Sequence, residues 1–120
     1  MTSSPTKNEE NLPLTPAVFN ILLALSDGEK HGYAIMLEVE ANTNGEVKMG
    51  PGTLYGSIKR MLEAGLIEES GERPDPVLDD QRRRYYRLTG VGRRVAKAEA
   101  ERLLRQVHIA RLKQILEYSF

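Results

Sequence analysis

The side chains best equipped for chemistry are cations and hydroxyls set on short, regular segments. From Gly50 to Gly65 the chain reads GPGTLYGSIKRMLEAG. Wound as a helix at about 100° per residue, this stretch gathers Gly52, Gly56, Lys59, Arg60 and Glu63 on one side, with Thr53, Tyr55 and Ser57 at its margins. Small residues at one end allow close approach. The ammonium and guanidinium one turn further on are pure donors, suited to anionic oxygen. Residues 82–94 add six arginines (Arg82, Arg83, Arg84, Arg87, Arg93, Arg94) and no acid. Two adjacent cationic segments suit a partner lined with phosphates, where each neutralised phosphate releases counterions and makes binding salt-sensitive.

Individual roles follow from reach. Lys59 and Arg60 extend far enough for phosphates or base edges, and the hydroxyls of Thr53 and Ser57 serve over shorter distances. The free amides at Gly50–Thr53 make the start of this helix a phosphate site. Arg82 and Arg83 lead the arginine run as a clamp, although strand alternation splits that run between two faces. Arg84 is placed to pair with Glu68 or Glu69 instead. His31, with Tyr33 beside it, stands at the start of another helix, where it serves either as a phosphate contact or as a cap.

Other chemistries find little support. Cysteine is absent, which removes disulfides, thiolate catalysis and thiolate metal sites and fits a cytoplasmic protein. The two histidines, His31 and His108, lie in different elements without companion ligands, so no metal is expected. No Ser/His/Asp set, phosphate-cradling glycine loop or apolar pocket with paired carboxylates can be identified. No enzyme activity and no cofactor are expected.

The positioning elements are legible from local signals. Thr15 and Pro16 open a first helix, as cap and first helical residue, with Val18, Phe19, Leu22, Leu23 and Leu25 expected inside and Ser26-Asp27-Gly28 ending it. A second helix is predicted from about His31 to Asn42, with Tyr33, Ile35, Met36, Leu37 and Val39 as its apolar positions and Gly32 allowing a close backbone. Val47–Met49 is a candidate minor strand. The third helix starts at Gly50-Pro51, carries Leu54, Ile58, Met61 and Leu62 on its inner face, and stops at Gly65. Leu66–Ser70 and Arg83–Leu88 read as hairpin strands, Tyr86 and Leu88 inward, Tyr85 and Arg87 outward. The connection Gly71–Gln81 is long and carries Asp75, Asp79 and Asp80. Acids there would repel a phosphate backbone, so either the hairpin stands off it or the aspartates neutralise neighbouring arginines.

Thr89 caps a final helix predicted over Gly90–Tyr118. Its apolar stripe runs through Ala96, Ala100, Leu103, Val107 and Ala110 and is widened by Leu104, Leu112, Ile115 and Leu116. A stripe longer than its own small core needs a partner; the simplest is a second copy of the same helix or of the first helix, where Phe19 lies. The fold class is therefore mainly α with a small β-hairpin wing, a winged helix-turn-helix with a long C-terminal dimerisation helix. Its parts are a disordered arm (1–12), a DNA-binding winged domain (13–89) and the dimerisation helix (90–120).

Formal net charge is zero, 17 basic against 17 acidic residues, so the case for double-stranded DNA rests on how charge is distributed. The N-terminus resembles no signal peptide, no apolar run of 18 or more residues spans a membrane, and no membrane partner is expected. Neutrality and the acidic loop also fit a rival, a winged-helix module for protein contacts without operator binding. A second rival, a small-molecule site in the dimer groove, has only Arg102, Gln106, His108 and Arg111 to offer.

Several of these segments closely resemble the PadR family of bacterial transcriptional regulators: Leu14-Thr15 with the leucine-rich helix, HGYAI at 31–35, PGTLY at 51–55, GLIE at 65–68, and RRYYRLT at 83–89 with Gly92. The resemblance covers residues 14–92 in family order. It implies a homodimeric winged-helix repressor on a palindromic operator, dimerised through the C-terminal helix, with Tyr55 and its neighbours in the DNA-facing segment. It also implies release by a small hydrophobic or aromatic effector in many relatives. Some short relatives hold flat drugs between tryptophans, a mode without counterpart residues here because the chain has no tryptophan.

Overall fold

The computed structural model describes residues 12–74 and 82–117. In chain order the elements are α1 (Pro16–Ala24), β1 (Lys30–His31), α2 (Gly32–Asn42), α3 (Pro51–Glu63), β2 (Ile67–Pro74), β3 (Arg82–Leu88) and α4 (Gly90–Leu112). The strands form an antiparallel sheet in the order β1-β3-β2.

Local chemistry starts and stops the helices. Thr15 accepts the Val18 amide at 3.2 Å and Thr89 accepts the Gly92 amide at 3.0 Å, each satisfying a first-turn donor. At the end of α3, Gly65 takes φ 76°, and the Gly65 and Leu66 amides donate back to the Leu62 and Met61 carbonyls. That turn sends the chain straight into β2.

The core lies where the three N-terminal helices meet the sheet and the first turns of α4. Ile21, Leu22 and Leu25 from α1 and its cap, Ile35 and Val39 from α2, and Leu54, Ile58 and Met61 from α3 are buried with Ile67, Tyr86 and Val95. Each such aliphatic side chain contributes about 1.5–3 kcal/mol by leaving water. The junction of hairpin and α4 is tighter still. A β-carbon at Gly92 would stand 1.9 Å from the Leu66 carbonyl oxygen, the same oxygen that accepts from the Thr89 amide at 3.1 Å and the Thr89 hydroxyl at 3.0 Å.

Several expectations are corrected. Leu23 is 37% exposed while Ile21 and Ala24 are buried, because α1 turns the stripe 18, 21, 22, 25 inward and leaves 23 about 150° from its middle. Tyr33 and Leu37, one turn apart on α2, face outward. Val47–Met49 forms no strand; Met49 is buried and Val47 packs beside it. The third strand is β1 instead, with Lys30 opposite Tyr86 and His31 opposite Tyr85. Strand β2 continues through Gly71 to Pro74, past a bulge at Ser70 between the pairs Glu69–Tyr86 and Gly71–Tyr85, so the first four residues of the expected loop are sheet. The aspartates of that loop, and the N-terminal arm up to residue 11, lie outside the described residues.

The last helix ends at Leu112 rather than near Tyr118. Gln114 takes φ 64°, and the Gln114 and Ile115 amides donate to the Arg111 and Ala110 carbonyls, closing the helix by the same motif that ends α3. At 1.5 Å per residue α4 is about 35 Å long.

Candidate nucleic-acid interface

Helix α3 owes its position to its inner stripe. Leu54, Ile58 and Met61 are each 2% exposed, which fixes the rotation of the helix and turns Gly52, Thr53, Tyr55, Lys59 and Arg60 outward. Ser57 is corrected. It falls three residues after Leu54 and four before Met61, on the buried stripe, and is itself 2% exposed. Its hydroxyl receives the Arg60 guanidinium at 3.4 Å, so Ser57 steadies Arg60 from below. At the start of α3, Gly50 brings no capping side chain and Pro51 occupies the first turn, leaving the next amides without intrahelical acceptors.

A second group gathers where α2 begins. His31 caps α2 by accepting the Ala34 amide at 3.1 Å, and its ring meets Tyr85 edge-on at 5.4 Å between centroids. The Arg83 guanidinium reaches the imidazole at 3.0 Å and lies 5.5 Å from the Tyr33 ring centroid, in cation–π range. Gly32, between His31 and Tyr33, admits the Tyr55 side chain: a β-carbon there would stand 2.5 Å from the Tyr55 hydroxyl oxygen. The close approach expected at this glycine is thus made by a side chain of α3, not by a backbone. Tyr55, His31, Tyr33 and Arg83 form one continuous patch across α3, α2 and β3. Arg82 lies on the same strand, opposite Pro74.

Other arginines are engaged within the fold. Arg87 donates to Glu68 at 2.8 and 3.0 Å, and Arg84 pairs with Glu69 at 3.7 Å. Arg93 donates to the Ser26 carbonyl at 3.2 Å, a long-range contact with no sequence signal. Lys30 is held by the Ala24 carbonyl and Asp27, both at 2.6 Å, and by Glu38 at 3.5 Å. Burial disfavours its charge, but the two carboxylates outweigh that and raise its pKa. Among the described residues, the cationic surface is therefore narrower than the arginine count suggests: Lys59 and Arg60 on α3 and Arg83 on the outer part of β3, with Arg94 exposed on α4.

Along α4 the expected partner-seeking residues divide. Ala96 packs against the core of its own chain; Ala100 is exposed and Leu103, Val107 and Ala110 are half-buried. Among the described residues, Leu104, Ile109, Leu112 and Ile115 are the exposed large apolar residues of this end of the chain, Ile115 lying just past the helix. Phe19 on α1 is half-buried. Among the described residues, no group of three or more His, Asp or Glu could hold a metal ion, and no helix is long and apolar enough to cross a membrane.

Four helices around a small antiparallel sheet, with the third helix presenting its outer side beside a hairpin, make a winged helix. Residues 21–98 match the family model described as the transcriptional regulator PadR-like family. The chain belongs to that family. Among solved structures, a PadR family transcription regulator from Clostridium difficile superposes with a TM-score of 0.64 at 22% identity, covering 85% of this chain and 100% of that one. Bacillus subtilis PadR in complex with operator DNA gives 0.58 at 20%, covering 72% and 45%. At these identities the likeness speaks for the fold. In sequence, the chain is 35% identical over 85 residues, 71% of its length, to a 37.1 kDa protein in transposon TN4556 of Streptomyces fradiae. It spans 22% of the length of that curated relative.

Proposed function

We propose that this PadR-like regulator is a cytoplasmic homodimeric repressor that binds a palindromic operator through α3 and the wing strand β3. The observation that carries the reading is the outward side of α3. Lys59 and Arg60 stand exposed beside Gly52 and Thr53, and Tyr55 joins that side to the patch holding His31, Tyr33 and Arg83. Small residues lead the helix into a major groove, the uncapped amides at its start meet a phosphate, and the cations follow. Arg83 and Arg82 contact the flanking backbone. Bacillus subtilis PadR, of the same fold, is known in complex with operator DNA, which supports the DNA-binding part of this reading.

Dimerisation is assigned to α4. Its exposed Leu104, Ile109 and Leu112, with Ile115 beyond, bury against a second copy, joined by Ala100, Leu103, Val107 and Ala110 and by Phe19 of α1. Two recognition helices then lie about 34 Å apart, one turn of duplex, and repression follows by occlusion of the promoter. A small hydrophobic or aromatic effector would act by favouring one relative arrangement of the winged units over another.

Selection of bound sequences from random duplex DNA, followed by titration at two salt concentrations, tests the reading. A two-fold symmetric site whose affinity falls steeply with salt is expected. Absence of any sequence preference would instead indicate a protein-contact module.

A further inference from the structure

We infer that Glu99 is the positioning residue that sets the angle at which α4 leaves the winged unit, and through it the half-site spacing the dimer accepts. The inference rests on the dimeric, operator-binding reading above. Glu99 is 2% exposed and is the last buried residue of α4, after Gly92 and Val95; beyond it the helix is half-buried or exposed. Its carboxylate accepts the Leu14 backbone amide at 3.0 Å, from the residue just before the cap of α1. It also accepts Arg102 Nε at 2.5 Å and Nη2 at 3.1 Å. One carboxylate thus ties the exit of α4 to the entrance of α1.

An ionised group here is costly to desolvate, and a packed aliphatic residue of similar volume would stabilise the junction at least as well. What the carboxylate adds is direction. Apolar contacts allow two helices to slide and tilt with little change in buried area, whereas the Leu14 amide bond pins α4 to the entrance of α1 at one point, and Arg102, one turn on in the same helix, holds the carboxylate in the orientation that accepts it. The lever beyond Glu99 is long enough for this to matter. Thirteen residues of helix at 1.5 Å each reach about 20 Å, so a tilt of about 10° moves the far end by roughly 3 Å, close to the 3.4 Å step per base pair.

The test uses the full chain, which has no native cysteine, spin-labelled through Ala41→Cys in the exposed last turn of α2, outside the helix assigned to DNA. Label-to-label distances in the dimer are measured in three backgrounds: native at 99 and 102, Glu99→Leu, and Arg102→Met. Each is also assayed on half-sites with the selected spacer and with one base pair more or fewer. The native background should give one narrow distance and at least about tenfold preference for its spacer. Both variants should at least double the width of the distribution and reduce the preference below about threefold, with binding to a single half-site unchanged within about twofold. Arg102→Met leaves the buried packing intact and decides the matter should Glu99→Leu fail to fold. Native widths and spacer preference in the folded variants overturn the inference. A native chain without any label-to-label distance overturns the dimeric reading itself, and the inference with it.

Discussion

Gly92→Ala is the substitution most damaging to the frame that holds the wing. A β-carbon at Gly92 would stand 1.9 Å from the Leu66 carbonyl oxygen and 2.9 Å from its carbon. Ordinary contact begins at 3.4 Å, so something must move by about 1.5 Å. The obstacle is backbone, at the point where the turn after α3 becomes β2, and the displaced oxygen holds both the amide and the hydroxyl of Thr89. Overpacking of this kind costs about 1–3 kcal/mol, and two weakened hydrogen bonds add about 1–2 kcal/mol. The expected loss is about 2–5 kcal/mol, a large share of the roughly 5–15 kcal/mol that holds a small domain together. Gly90→Ala is the matched control, because its β-carbon would meet only Arg94 Nη1 at 3.5 Å, and alanine favours a helix by up to about 1 kcal/mol. Urea denaturation followed by circular dichroism measures both. A Gly92→Ala protein within about 1 kcal/mol of the native one would refute the close packing of α4 on the hairpin.

Two further outcomes are expected. Hydrogen bonding from Arg102 first of all, with the Leu14 amide and against burial, holds the Glu99 carboxyl below its ordinary value of 4.5. A lowered folded-state pKa means that its stabilisation is complete above the unfolded value and vanishes as pH falls through the folded one. Glu99→Gln should therefore cost about 2 kcal/mol at pH 7, and thermal melts should show the gap to the native protein closing as pH drops below 4.5. Arg83→Ala, tested by operator titration against salt, should lower the magnitude of the log–log slope by about 2, one phosphate in each protomer at roughly 0.9 apiece; an unchanged slope removes Arg83 from the interface.

What the sequence disclosed was whatever local chemistry decides. Thr15, Thr89, Pro16 and Gly65 punctuate the helices as their side chains and torsions require, and the spacing of Leu54, Ile58 and Met61 fixed which side of α3 faces out. Ser57 lies on that same buried stripe by simple counting, but its polarity argued for the margin; small size lets it pass beneath the helix. Strand β1 is two residues long, too short for any alternation, and exists because β3 offers it an edge. The end of α4 carries neither glycine nor proline, since Gln114 adopts the left-handed turn. The burial of Glu99 could not be read from an otherwise polar helix, for its partner amide at Leu14 is 85 residues away. The convergence of Tyr55, His31, Tyr33 and Arg83 likewise depends on how α2, α3 and β3 pack.

The claim on which the rest turns is that the outer side of α3 reads DNA while α4 holds the pair together. Lys59→Ala combined with Arg60→Ala, measured by operator titration alongside sedimentation equilibrium, tests it most directly. The account predicts a dimer of native mass whose operator affinity has fallen at least about a hundredfold, from two lost cation contacts per protomer at about 1–3 kcal/mol for a base-reading arginine. A double variant that keeps nanomolar binding to the selected site would contradict it.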